Sequence, residues 1–252
     1  MRNGEKSTKT SESKRRRSAA ESRLLLRVGA TRVEDAVERA AAMILGSGYE
    51  VPVDLVAVAR ALDIKVVPLR DGDALGETHR LTNGHEIRVA TGQPESRRRF
   101  TLAHELAHVF LDDTSKRVTS TLALEQLCDR IAASILMPLS DVMRRLRQFT
   151  PTEVTAVARD FNVSVHAAAV RFAQLTRCSV FRVGSGGGAI ITRLAGELRA
   201  STPAVRRAIL HTALAGEETI AVVSNGTVTR SWHVSSLRMR NEDVLCVFRP
   251  RE

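Results

Sequence analysis

Between Phe100 and Leu111 the chain reads FTLAHELAHVFL, with helical spacing and neither Gly nor Pro. No other segment restricts the fold as tightly. His104 and His108 are four residues apart, which on a helix is about 400° of rotation and about 6 Å of rise. The two imidazoles therefore share one face and can reach one ion. Glu105 stands one residue on, beside that ion rather than on it, where it can take a proton from bound water. Phe100, Leu102, Leu106, Val109 and Phe110 fill the remaining sides of the helix. Two imidazoles plus one carboxylate, with a fourth position open to water, suit zinc.

The flanking segments supply the cover. Thr31-Arg32-Val33-Glu34 fits a capping box, and the apolar spacing from Val33 to Leu45 predicts a helix ending near Gly46. A second helix runs from Asp54 to Leu62, and Ile64 to Leu69 reads as a strand. Leu75 to Leu81 and Glu86 to Ala90 flank Asn83-Gly84, a strong hairpin signal, so a small sheet precedes the HExxH helix. After it, Leu122 to Met137 reads as a helix stopped by Pro138. Thr150-Pro151-Thr152-Glu153 is another capping box with Pro at the favoured first position. The helix to Asp160, the turn at Phe161-Asn162-Val163 and a helix capped by Ser164 form a helix-turn-helix-like segment. From Cys178 onward, short β-rich segments surround one helix at about 204–214, with a Gly-rich loop at 184–188. No GK[ST] follows that loop, so it is no phosphate cradle.

The fold class is α+β. The domain reading is a disordered basic arm at 1–30, a metal-bearing core at 31–146, the helix-turn-helix-like segment at 147–177, and a separate α+β domain at 178–252. Because the metal-bearing helices precede it, a chain ending near Arg177 is expected to keep the metal site and to lose regulated or efficient action.

Net charge is +10, but residues 1–32 alone carry ten Lys/Arg against three Glu. The rest is nearly neutral. A basic arm can attach to nucleic acid, as can a helix-turn-helix, and both stand as alternative nucleic-acid contacts. Nine aromatics in the whole chain are too few for a single-strand stacking platform. The three cysteines, Cys128, Cys178 and Cys246, are far apart and form no CxxC, which argues against a disulfide framework and a cysteine zinc site. No apolar run approaches the roughly 20 residues of a membrane span, and the polar start lacks a secretory signal core. The expectation is a cytoplasmic protein with no membrane partner.

The third ligand is not given by the motif. Candidates are Asp112, Asp113, Glu125 and Asp129. The first two follow the helix so closely that they should point away. Glu125 and Asp129 are four apart on the next helix, where one can ligate while the other hydrogen-bonds a ligating histidine.

RRRFTLAHELAHVFL followed by LEQLCDRIAASILMP resembles the ImmA/IrrE metallopeptidases, bacterial and phage zincin-like proteases that cleave a helix-turn-helix repressor in response to DNA damage. The resemblance covers about residues 33–177. It implies a zincin-like metallopeptidase core and zinc, with manganese as the alternative ion. The ligands it implies are His104, His108 and Glu125, with Glu105 as the catalytic base. Asp129 falls where the family has Asn or Asp. The implied substrate and partner is a helix-turn-helix repressor, whose cleavage would derepress DNA-damage or mobile-element genes. The 178–252 region resembles the GAF-like sensor domain of the IrrE branch. The competing reading is a non-catalytic or DNA-binding regulator of the same pathway; an intact Glu105 argues against it.

Of the remaining candidates, His79 and His85 sit on opposite hairpin arms and are expected at the surface. His166, His211 and His233 are expected to be structural or exposed. Tyr49 is the only tyrosine, so an oxyanion-stabilising role stays unassigned.

Overall fold

The computed structural model describes residues 17–69, 74–111, 121–184, 190–216, 219–224, 229–239 and 242–251. Residues 1–16, Asp112, Asp113 and most of the Gly-rich loop lie outside them. The class is α+β, as expected.

The arm read as disordered contains helix α1 (Ala19–Val28), which buries Ala20, Leu24 and Leu25. Its start is a capping box that sequence reading passed over. Ser18 Oγ accepts from the Glu21 N–H, and Glu21 returns the bond to the Ser18 N–H. Its end packs on the motif helix, with the Arg27 guanidinium 4.7 Å above the Phe110 ring. The run of basic residues hid an amphipathic stripe. Helix α2 (Val33–Leu45) follows, but Arg32 occupies its N-cap and makes no side-chain cap, so the box expected at Thr31 does not form.

Helix α3 (Leu55–Ala61), capped by Asp54, leads to a three-stranded sheet. Strand β1 (Ile64–Leu69) runs parallel to β3 (Gly84–Ala90), and β2 (Gly76–Leu81) pairs antiparallel with β3 at the edge. Leu81 faces Gly84, so the hairpin turn is Thr82-Asn83, one residue earlier than the Asn83-Gly84 signal. Alternation gives this sheet two characters. Ile64, Val66, Ile87 and Val89 share one face, with Ile64, Ile87 and Val89 buried. Lys65, Glu86 and Arg88 form an ion-paired ladder on the other.

Helix α4 (Glu95–Phe110) packs on β2 and β3 through its buried Leu102, Ala103, Leu106 and Ala107. It starts five residues before Phe100. Helix α5 (Leu122–Leu136) packs beside it and buries nine residues, from Leu124 to Leu136. A short α6 (Leu139–Arg145) precedes the expected helix pair, α7 (Pro151–Asp160) and α8 (Val165–Thr176). The Thr150–Glu153 box forms as predicted. Arg171 of α8 is only 3% exposed; it donates to the Met137 carbonyl at the end of α5 and grips Glu38 of α2 in two bonds of 2.7 and 2.8 Å.

The last part of the chain is a five-stranded antiparallel sheet with strand order β5-β4-β8-β7-β6. The strands are β4 (Ser179–Gly184), β5 (Ile190–Ala195), β6 (Thr219–Ser224), β7 (Thr229–Arg238) and β8 (Val244–Pro250). Helix α9 (Pro203–Ala215) covers one face. The alternation along β8 is clean. Val244, Cys246 and Phe248 join the α9 core, while Leu245 and Val247 join the core that holds α4, α5 and α8. Cys178 and Val180 join that core too. In packing, therefore, the sheet is not the separate unit that its change of composition suggested. One of its faces completes the main core. Among the described residues no helix is long and apolar enough to cross a membrane.

Candidate metal centre

Four side chains meet where α4 and α5 run side by side. His104 Nε2 lies 3.0 Å from His108 Nε2 and 3.1 Å from Glu125 Oε2. Glu125 Oε1 is 3.6 Å from His108 Nε2. One ligand atom from each of His104, His108 and Glu125 fits within 4.8 Å of the others. On the far side of the His104 ring, Nδ1 is 2.8 Å from Asp129 Oδ1. The imidazoles are mostly buried, while Glu125 and Asp129 are more open to solvent.

This arrangement fits a cation. An ionised Asp129 obliges His104 Nδ1 to carry a proton and donate it, which leaves a lone pair on Nε2. That lone pair points at a carboxylate oxygen. Two acceptors about 3 Å apart repel unless a proton or a metal ion stands between them. Without a metal ion a proton on Nε2 can do so. Burial, the largest influence on His104, opposes its protonation. The Asp129 bond and the charges of Asp129, Glu105 and Glu125 together outweigh burial and hold the imidazole's pKa above its ordinary value. A metal ion bound there displaces that proton, so uptake weakens as the pH falls. Ligands about 2.0–2.1 Å from a tetrahedral zinc lie roughly 3.3 Å from one another, close to the 3.0–3.6 Å approaches seen here.

Glu125 and Asp129, left as alternatives by spacing alone, thus take different places. Glu125 faces both Nε2 atoms, and Asp129 orients His104 from behind. Glu125→Ala is expected to empty the site. Asp129→Ala is expected to cost only about 10- to 100-fold in metal affinity, as is usual when an orienting partner is lost. Competition titration with a chromogenic zinc chelator measures both. The reverse order would exchange the two roles.

Glu105, about a quarter turn around α4 from the histidines, reaches toward β2. Its Oε2 accepts a 2.7 Å hydrogen bond from Thr78 Oγ1. Gly76 makes room for it: a Cβ there would collide with Thr101 Cγ2 and come within 3.1 Å of Glu105 Oε1. Neither Thr78 nor Gly76 was a sequence candidate. The only available signal was their period-two spacing on a strand that enters the sheet just before the motif. The same alternation separates the two hairpin histidines. His79 shares a face with Glu77, which it contacts at 2.9 Å, away from Glu105. His85 pairs with Arg80 on the face that carries Thr78, and its Nε2 is buried without a partner. Tyr49 donates to Asp141 Oδ2 at 2.9 Å and is committed there.

Residues 59–173 match the peptidase family model described as the IrrE N-terminal-like domain. Over 110 residues the chain is 34% identical to the "Radiation response metalloprotease IrrE" of Deinococcus radiodurans. That match spans 39% of this chain and 32% of the relative, so about a third of the relative's length is represented. A Mycobacterium tuberculosis structure titled "transcriptional regulator" shares the fold at TM-score 0.53 and 17% identity, over 92% of this chain and 79% of that one. Residues 59–173, somewhat less than half of the chain and the part that holds the His104, His108 and Glu125 cluster, thus match the IrrE N-terminal-like peptidase domain, in support of the ImmA/IrrE resemblance.

Proposed function

We propose that this chain is a zinc-dependent endopeptidase whose substrate is a helix-turn-helix transcriptional repressor, and that cleavage derepresses stress-response genes. Manganese is the alternative ion. The observation that carries the reading is the division of labour on α4: His104 and His108 face Glu125, while Glu105 is held apart from them by Thr78. A purely structural metal site has no use for that fourth, separately anchored carboxylate. Bound zinc supplies an acidified water and polarises the substrate carbonyl.

The protein's own groups do the rest. Glu105 takes the proton from the attacking water and delivers it to the leaving amine. Thr78 Oγ1 fixes one of its oxygens, leaving the other to work. Asp129 keeps His104 in the tautomer that presents Nε2. Strand β2 is the edge of its sheet and touches Glu105 through Gly76 and Thr78. An extended peptide added to that edge would run past the base. The likeness to a radiation-response metalloprotease supports both the chemistry and the stress-response setting.

The test is incubation of the zinc-loaded protein with the helix-turn-helix repressor encoded beside it, followed by mass measurement of the products. Two fragments whose masses sum to the repressor plus one water, absent after chelation, are expected. An intact repressor under both conditions would rule out the proposed substrate.

A further inference from the structure

Away from the metal centre, a cleft of about 1010 Å³ opens where the α6–α7 connection, the end of α8 and the adjoining ends of β7 and β8 meet. Arg147, Arg177, Arg230, Arg249 and Arg251 all line it, against one acid, Glu197. Glu197 is taken by Arg230 at 3.2 Å. Arg249 donates to the Gln148 carbonyl at 2.9 Å. The side chains of Arg147, Arg177 and Arg251 have no ion-pair partner among the described residues. Glu153, close in sequence, is consumed in capping: its carboxylate accepts the N–H groups of Arg147, Gln148 and Thr150.

Convergent guanidinium groups without anions repel one another, and nothing in the main core requires them there. Alternation explains how the sheet delivers them. Leu245 and Val247 of β8 face the main core, and the next residues of that parity are Arg249 and Arg251. Arg249 lies opposite His233, and Arg251 bonds its N–H to the Ser231 carbonyl. Trp232, of the opposite parity, is 2% exposed and packs in the α9 core, so its strand borders the cleft while its indole lies on the other face of the sheet.

We propose that this cleft binds a compact, multiply phosphorylated small molecule of nucleotide size. Guanidinium forks match phosphate oxygens in pairs, and several of them can clamp a di- or triphosphate. The volume is at the upper end of small-molecule sites. The arginines gather from four segments around one cavity instead of running as a stripe, which favours a compact polyanion over a nucleic-acid strand. A ligand held between the α6–α7 connection, the end of α8 and the strand ends would tie the C-terminal sheet to the helices.

Trp232 is the only tryptophan in the chain and stands on a strand that borders the cleft, so its fluorescence reports on changes beside it. The probes are ATP and inorganic pyrophosphate, titrated at about 0.15 M salt. A saturable change in emission and a rise in melting temperature are expected with ATP, and with pyrophosphate if the phosphates alone dominate. Arg147 and Arg251 are exposed and their side chains make no bonds, so the double variant Arg147→Glu/Arg251→Glu should fold. It should bind about tenfold more weakly or worse, since each charge-assisted bond is worth a sizeable part of the affinity. The neutral pair Arg147→Gln/Arg251→Gln should fall between, and provides the reading if the reversed pair is misfolded. Absence of saturable binding by either probe would overturn the proposal, as would undiminished binding in a folded variant. A short single-stranded oligonucleotide that displaces ATP with a steep salt dependence would assign the cleft to nucleic acid instead.

Discussion

Replacing Glu105 by Gln is expected to leave the metal in place and to reduce cleavage roughly 100- to 10,000-fold, the usual worth of a general base. The substitution is nearly isosteric. The Gln carbonyl can still accept from Thr78 Oγ1, which now reaches Glu105 Oε2 at 2.7 Å, so the side chain should keep its position. What is lost is the ability to take a proton. His104, His108 and Glu125 meet about a quarter turn around α4 from Glu105 and are not disturbed. Native mass spectrometry should therefore show the same metal content as the parent. Single-turnover cleavage of the repressor should show the loss. Undiminished cleavage would remove Glu105 from the base role. Simultaneous loss of metal and activity would make it a structural carboxylate.

The metal cluster was legible because its information is local. Two histidines four apart on a helix share a face whatever the rest of the chain does. Glu125 and Asp129 were identifiable as a pair for the same reason, but spacing could not say which faced the ion. That depends on how α5 rolls against α4, which is set by its buried Leu124, Leu127, Cys128 and Ile131. Thr78 and Gly76 were not legible. They reach Glu105 only through the pairing register of β2 on β3, a non-local property. Helix α1 was lost for a different reason. Its composition is that of a solvated arm, and only the Ser18–Glu21 box and the spacing of Ala20, Leu24 and Leu25 betray a packed helix. The arginines of the C-terminal cleft are spread over more than 100 residues of sequence, from Arg147 to Arg251. No local pattern gathers them.

A chain ending at Arg177 is expected not to fold into a metal-loaded protease, contrary to what the change of composition at Cys178 suggests. The reason is the shared core. Cys178, Val180, Leu245 and Val247 are all 0% exposed and pack with α8 and the helices beneath it. Fully burying an aliphatic side chain is worth about 1.5–3 kcal/mol, so losing these four contacts removes on the order of 5–10 kcal/mol. A whole domain typically has only about 5–15 kcal/mol to lose. The damage should also travel. Helix α8, uncovered on its sheet-facing side, holds Arg171, which grips the Met137 carbonyl at the end of α5 and Glu38 of α2. Loosening α8 thus loosens the helix that carries Glu125 and Asp129. The expected outcome is a truncated chain without a cooperative thermal transition by circular dichroism and with well under one metal ion per chain. A truncated protein that melts cooperatively and holds stoichiometric zinc would show that α4 and α5 keep their packing without the sheet. The shared face would then be a docking surface laid over a core already complete.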